Sequence, residues 1–310
     1  MGSEIATAER ILRRACGDRL RVDFPLAPLT TFRIGGRAAL FLEPEGERDL
    51  YAAGTAIVET GVPFAVLGRG SNVLVADDGF SGLILRLGRG FRWAARDGDR
   101  LTAGGAMPLP ALSGVALRHC LAGLEFGVAI PATLGGAVRM NAGAHGGQIQ
   151  DVLDRADAYA LRRRVVSSIR GEDLHFSYRH TELNDDAVVI GATLRLRVGE
   201  PETIRSSMDA ARAWRRQTQP LSEPNCGSVF TNPPGDHAAR LIDAAGGKGM
   251  RVGLAAVSAK HANFIVAAPG ARAADVLTLI ERLRDLVRER TGTDLEPEVR
   301  LIGDVARAPV

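Results

Sequence analysis

Of the 36 glycines in this 310-residue chain, 17 fall between Gly68 and Gly147. That density is the strongest constraint on the fold, because 36 in 310 is about 12% against a usual value near 7%. No internal repeat accompanies it, which excludes a fibrous architecture. Dense glycine inside otherwise apolar sequence predicts backbone that lies close to a ligand, where side chains would obstruct the approach.

The rest of the composition is that of an ordinary globular protein. Hydrophobic residues make up 45% and charged residues 24%, enough for a normal core, and the length predicts two or three domains. Lys and Arg number 39 against 36 Asp and Glu. So even a balance argues against nucleic acid as a charge-driven partner and leaves room for local basic patches that meet a small anion. Cys16, Cys120 and Cys226 are far apart and form no C-x-x-C pair, which excludes a zinc ribbon or a disulfide framework and predicts a reducing compartment. His180, His237 and His261 have no metal-ligand spacing, so no metal site is expected. No apolar run reaches 18 residues, so a soluble, cytoplasmic protein without a membrane partner is expected.

Periodicity predicts helices over 4–15, from Glu47 to about Thr60, in PLPALSGVALRHC, in ETIRSSMDAARAWRRQTQ, in AARLIDAAG and in ADVLTLIERLRDLVRERTG. The last is closed by Gly292. VPFAVLG, VLVA, GLILRL, FRWAA, RLTAG, DVLDRADAYALR, AVVIGATLRLRV, VGLAAV, NFIVAA and LEPEVRLIG read as strands. A composition change at Val198–Pro201 predicts a domain boundary near residue 200, and a weaker one falls near residue 82. The C-terminal part is expected to pack helix 272–290 on a sheet that contains both NFIVAA and LEPEVR.

Five segments carry chemistry. LGRGSNVLVADDGFSG, residues 67–82, places glycines between two strands, where backbone N–H groups can hold phosphate; its bland alternative is a tight turn. It lacks the Gly-Lys-Ser/Thr of a Walker loop and the third glycine of a Rossmann fingerprint. EFGVAIPATLGGAVRMNAGAHGG, residues 125–147, suits the close approach of a flat ring system, against a purely structural loop. FSYRH, residues 176–180, presents the planar fork of Arg179 to a carboxylate or phosphate. NCGSVFTNP, residues 225–233, sets Ser228 after Gly227 without the Gly-x-Ser-x-Gly elbow of a hydrolase. EPEVR, residues 296–300, puts Glu298 and Arg300 on one strand face with Val299 and Leu301 on the other.

In this order and spacing the segments resemble the UDP-N-acetylenolpyruvoylglucosamine reductases. The match runs from TTFRIGG (Thr30–Gly36) to LEPEVRLIG (Leu295–Gly303), nearly the whole chain, and looks like the shorter of the family's two types. The resemblance implies an α+β protein: an FAD-binding domain of the vanillyl-alcohol-oxidase type, followed by a C-terminal α+β substrate domain. Residues 1–82 and 83–199 would form two FAD-binding subdomains and 200–310 the substrate-binding domain. It implies FAD as cofactor, NADPH as reductant and a UDP-sugar as the other small-molecule partner, in peptidoglycan precursor synthesis. Carried over by motif, Ser228 is the proton donor, and Arg179 and Glu298 stabilise an enolic intermediate. Gly68, Arg69, Gly70, Ser71, Asn72, Gly135, Gly136, Asn141, Gly143 and Arg300 contact FAD, while Tyr178 and Asn232 contact substrate. Two positions depart from the family pattern: Thr231 stands where Lys is usual, and Ala256 where Gln is common. A flavin oxidase on the same binding domain, and a non-catalytic nucleotide-binding protein, are the rival readings.

Overall fold

The computed structural model describes residues 2–305. Helix and strand form by ordinary local rules at most of the expected places. Helix α1 covers Gly2–Cys16, and α2 covers Glu47–Thr60 with Glu47 and Asp49 in its first turn and Gly61 closing it at φ 69°. Further helices are α3 (Leu109–Arg118), α4 (Leu134–Arg139), α5 (Pro201–Thr218), α6 (Ala238–Ala244) and α7 (Ala273–Thr291). The strands are β1 (Leu20–Pro25), β2 (Arg37–Leu42), β3 (Phe64–Val66), β4 (Val73–Val75), β5 (Phe80–Leu85), β6 (Ala94–Asp97), β7 (Arg100–Gly104) and β8 (Leu121–Ala122). They continue as β9 (Gly143–Ala144), β10 (Gly147–Gln148), β11 (Leu153–Ala160), β12 (Val165–Arg170), β13 (Ala187–Arg195), β14 (Arg197–Val198), β15 (Arg251–Val252), β16 (Ala255–Val257), β17 (Ile265–Ala267) and β18 (Arg300–Ile302).

The chain divides into two compact units that interleave in sequence. The first takes the described chain up to Val22, then Leu40–Gly68 and Gly82–Arg215; the second takes Asp23–Ala39, Arg69–Ser81 and the chain from Arg216 onward. This differs from the linear boundaries expected near 82 and 200. The later boundary moves because α5 buries Ile204, Met208 and Ala211 against Val128 and Ala129 of the first unit. Apolar burial, not the composition change at Val198, decides where that helix belongs.

In the first unit, β12-β11-β13-β7-β6 form an antiparallel sheet. One face is covered by α3 and α4 through Leu109, Leu112, Leu134 and Val138, and the other contributes Tyr159, Leu161 and Val188 to the core that holds α1 and α2. Strands β1-β2-β5-β3 make a second sheet, with β3 and β5 parallel. In the second unit, α7 buries Val276, Leu279, Ile280, Leu283 and Val287, the spacing of one helical face. Each such side chain contributes about 1.5–3 kcal/mol by leaving water. These residues share one core with Ala255 and Val257 of β16 and Ile265 and Ala267 of β17.

The C-terminal sheet corrects one expectation. NFIVAA does enter the sheet beside α7, as β15-β16-β17, but LEPEVR does not. Only Arg300–Ile302 forms strand, and it pairs in parallel with β4, Arg300 opposite Val73 and Ile302 opposite Val75. The simple alternation expected there also fails: Val299 is buried and Leu301 is half exposed.

His261 gives the second unit a pH dependence. Burial, with a smaller contribution from Lys248, pushes its pKa below the usual histidine value. Its Nδ1 accepts from the Asn263 N–H at 3.3 Å and its ring meets Phe264 edge-on at 4.6 Å, an arrangement that needs the neutral imidazole. The unfolded chain therefore binds a proton near pH 6.5 before the folded one does. The stabilisation is complete above that pH and is lost as pH falls. Thermal melts from pH 7 to 5 should show the wild type losing more stability than His261→Gln, whose amide oxygen still accepts; parallel curves would refute this.

Candidate active site

Three of the five sequence segments are knitted together inside the second unit. The loop 69–72 precedes β4 and is anchored by Thr31, whose N–H and hydroxyl donate to the Gly70 carbonyl at 2.9 and 3.3 Å. Gly70 has φ +63°, and a Cβ there would stand 2.2 Å from the Leu29 carbonyl oxygen, so only glycine fits. Asn72 ties this loop to the fifth segment twice: its side-chain amide donates to the Glu298 carbonyl at 3.1 Å, and its own carbonyl accepts from Arg300 N–H at 3.1 Å. Glu298 N–H in turn donates to the Val229 carbonyl at 2.8 Å, and Thr231 N–H to Glu296 at 3.0 Å. Asn263, buried, clamps Phe230 from both backbone sides, at 2.9 and 2.8 Å.

Ser228 directly precedes Val229, whose carbonyl holds the Glu298 N–H. Asn225 Oδ1 accepts from Gly227 N–H at 2.9 Å, and Gly227 turns the chain at φ +80°, a side-chain-closed turn. The Ser228 hydroxyl is half-buried and has no hydrogen-bond partner among the described residues. Burial, helped by the Glu298 carboxylate, pushes the adjacent Cys226 thiol far up, so it stays protonated and unreactive. Arg300 is exposed, and Glu298 is half-buried. Asn232 lies in the same unit, but its Oδ1 accepts from Ala238 N–H at 3.0 Å and starts α6. Thr231 spends its hydroxyl on the Glu296 carbonyl at 3.4 Å, and Ala256 is buried in β16.

The other two segments meet inside the first unit. Ser177 and His180 exchange backbone hydrogen bonds at 3.1 and 3.2 Å, so Tyr178 and Arg179 form a tight hairpin tip. Arg179 adopts φ +59°, its guanidinium carbon lies 4.9 Å above the Tyr178 ring, and its Nη2 donates to the Gly143 carbonyl at 3.0 Å. Asn141 is buried, and its amide is used internally: Nδ2 reaches Gln150 Oε1 at 2.9 Å and the Ser177 carbonyl at 3.0 Å. Gly135 is explained by packing, since a Cβ there would lie 2.8 Å from the Val189 carbonyl on β13.

The residues present fit a flavin nucleotide. Among the described residues, the backbone N–H groups of Arg69, Gly70, Ser71 and Asn72 donate to no acceptor. A row of free donors ahead of a strand is a phosphate cradle. In the first unit, Cβ atoms at Gly68 and Gly136 would come within 3.0 and 3.3 Å of the Thr133 hydroxyl, which caps α4 by accepting from Gly136 N–H at 3.2 Å. The bare backbone on either side of Thr133 is open to a flat group. Thr133, Arg139 and Asn263 carry no signal of their own in the sequence; only their place inside or beside the glycine-rich and Asn-Cys-Gly-Ser segments pointed to them. Among the described residues no group of three or more His, Cys, Asp or Glu could hold a metal ion.

The comparisons agree with this geometry. Residues 38–190 match the model of an FAD-binding domain, and residues 219–302 match the C-terminal domain of UDP-N-acetylenolpyruvoylglucosamine reductase. A UDP-N-acetylenolpyruvoylglucosamine reductase from Heliobacterium modesticaldum is 47% identical over 282 residues, 90% of each chain. The chain belongs to the UDP-N-acetylenolpyruvoylglucosamine reductase family. The crystal structure of the Thermus caldophilus reductase superimposes with a TM-score of 0.80 at 36% identity, over 91% of this chain and 99% of that one. Physcomitrella patens BBE-like 1, at 12% identity and a TM-score of 0.55 over 93% and 90% of the two chains, shares the fold alone. The fold class is thus the α+β arrangement that the resemblance implied, with the FAD-binding domain before the reductase C-terminal domain.

Proposed function

We propose that Ser228 gives the proton, and that Arg179 and Glu298 stabilise the enolic intermediate, in the reduction that this family performs. The chain is an FAD-dependent oxidoreductase that converts UDP-N-acetylglucosamine enolpyruvate to UDP-N-acetylmuramate for peptidoglycan synthesis. One NADPH and one proton are consumed, and the carbon–carbon double bond becomes saturated. When bound, FAD would supply the hydride-transfer chemistry between NADPH and the methylene carbon of the enolpyruvyl group. The loop Arg69–Asn72 and the glycines around Thr133 would hold it, with Arg300 nearby on β18.

Hydride addition leaves negative charge on the adjacent carbon and its carboxylate. Arg179, with a guanidinium fixed on Gly143 and Tyr178, suits that carboxylate. Glu298 acts on the same enolic species, and Tyr178 and Asn232 are assigned to the UDP-sugar. A hydroxyl is a weak acid, but an enolate is a strong base, so the unpartnered Ser228 hydroxyl is competent to protonate the carbon. The observation that carries the assignment is the joining of the 69–72 loop, the Ser228 loop and the Glu298 segment by hydrogen bonds within one unit. The three free thiols support a reducing, cytoplasmic setting, and among the described residues no helix is long and apolar enough to cross a membrane.

The purified protein should be yellow, release FAD on denaturation, and oxidise NADPH beyond the single equivalent that reduces its flavin only when the enolpyruvyl substrate is added. Release of FMN, or rapid oxygen consumption without the substrate, would overturn the assignment in favour of another flavoprotein.

A further inference from the structure

We propose that Arg139 is a positioning residue for Arg179: it clamps the loop that carries Arg179 onto the glycine-rich segment. The inference rests on the reading that Arg179 acts on the substrate carboxylate. Arg139 closes α4, and its guanidinium fork reaches three backbone carbonyls of the loop, Leu183 at 2.8 Å, Asn184 at 2.7 Å and Ala187 at 2.8 Å. The loop answers in kind, for the buried Thr181 hydroxyl donates to the Arg139 carbonyl at 2.9 Å. At the other end Asn141 Nδ2 holds the Ser177 carbonyl, and Arg179 itself reaches Gly143. Charged donors make the stronger hydrogen bonds, and only a guanidinium meets three carbonyls from one rigid plane.

The backbone shows why a clamp is needed. Four non-glycine residues with φ between 40° and 59° lie in these two segments: Asn141, His145, His175 and Arg179. Such conformations persist only where the surroundings over-determine them. A tip residue with positive φ, released from its clamp, relaxes toward ordinary backbone angles and swings its guanidinium away from the place where charge develops. A displacement of about 1 Å costs up to about 100-fold in rate.

The test uses holoenzyme of Arg139→Met, Thr181→Val and Arg179→Gln, with two readouts. One is amide hydrogen exchange over residues 174–187; the other is stopped-flow flavin absorbance, which separates reduction by NADPH from reoxidation by the enolpyruvyl substrate. Arg139→Met should raise exchange in that peptide and slow reoxidation about 10- to 100-fold, with reduction within about threefold of wild type. Thr181→Val, which leaves α4 intact, should move both in the same direction by about two- to tenfold, the worth of one hydrogen bond. Equal slowing of both half-reactions, or raised exchange with unchanged reoxidation while Arg179→Gln is slow, overturns the positioning role alone. Unchanged reoxidation in Arg179→Gln overturns the reading of Arg179 and the positioning role with it. If Arg139→Met cannot be isolated with flavin, unchanged exchange and rate in Thr181→Val overturn the proposal.

Discussion

Ser228→Ala should leave reduction of bound FAD by NADPH close to the wild-type rate and slow reoxidation by UDP-N-acetylglucosamine enolpyruvate by about 10²–10⁴-fold, the range of general-acid catalysis. The asymmetry follows from the role. A proton donor to the substrate carbon takes no part in the transfer from NADPH, so only the second half-reaction depends on it. The fold should tolerate the change, because the hydroxyl makes no hydrogen bond with a described residue and the turn is closed by Asn225 and Gly227. If Ser228 merely shaped the turn, the variant would lose stability and both half-reactions would shift together. Stopped-flow absorbance of the flavin separates the two outcomes; equal slowing of both steps would reject the donor assignment.

Glu298→Gln should slow the same half-reaction by about 10²–10³-fold, the cost of removing one preorganised group that stabilises the enolic intermediate. The substitution keeps side-chain size, and both backbone groups of residue 298 are committed elsewhere, the N–H to Val229 and the carbonyl to Asn72. Flavin binding and melting temperature should therefore change little. If Ser228 and Glu298 serve one chemical event, the double variant will be much faster than the product of the two single losses predicts. Strict multiplication of the two effects would show that they act on separate steps. Substrate titration adds a further check: the loss should appear in the rate of reoxidation at saturation, since neither side chain is assigned to the UDP moiety.

Local sequence was a good guide wherever a segment made its own structure. Helix α2 starts at Glu47 and ends at Thr60 because acidic residues suit its first turn and Gly61 ends it; α7 carries an apolar face and stops at Gly292, with φ 73°. Those signals lie within a few residues of what they control. Several elements escaped, β1, β2, α4 and β12 among them, and the last two show the opposite case. Helix α4 is six residues with two glycines, and it exists because Thr133 caps it and Gly135 allows close approach to β13. Strand β12 is an exposed edge whose only pairing is with β11, so no buried face marked it. The segment VLVADDGFSG held a further surprise: Asp77 accepts from Ala273 and Ala274 N–H at 2.8 and 3.2 Å and caps α7. That contact is worth about 0.5–2 kcal/mol.

The sequence by itself determined the family: glycine density predicted backbone close to a ligand, and the order of five short segments carried the resemblance to the reductases and to their cofactor. The tertiary structure alone decided which segments stand together. Strand β18 pairs with β4 across more than two hundred residues, bringing Glu298 and Asn72 into contact, and α5 sides with the first unit because its apolar face is buried there. It also revealed that Asn141 and Arg139 serve the Arg179 loop. Periodicity reports only the face that a segment must bury. Which distant segment covers that face is set by hydrogen-bond pairing and packing among residues far apart in the chain, and no local pattern encodes it.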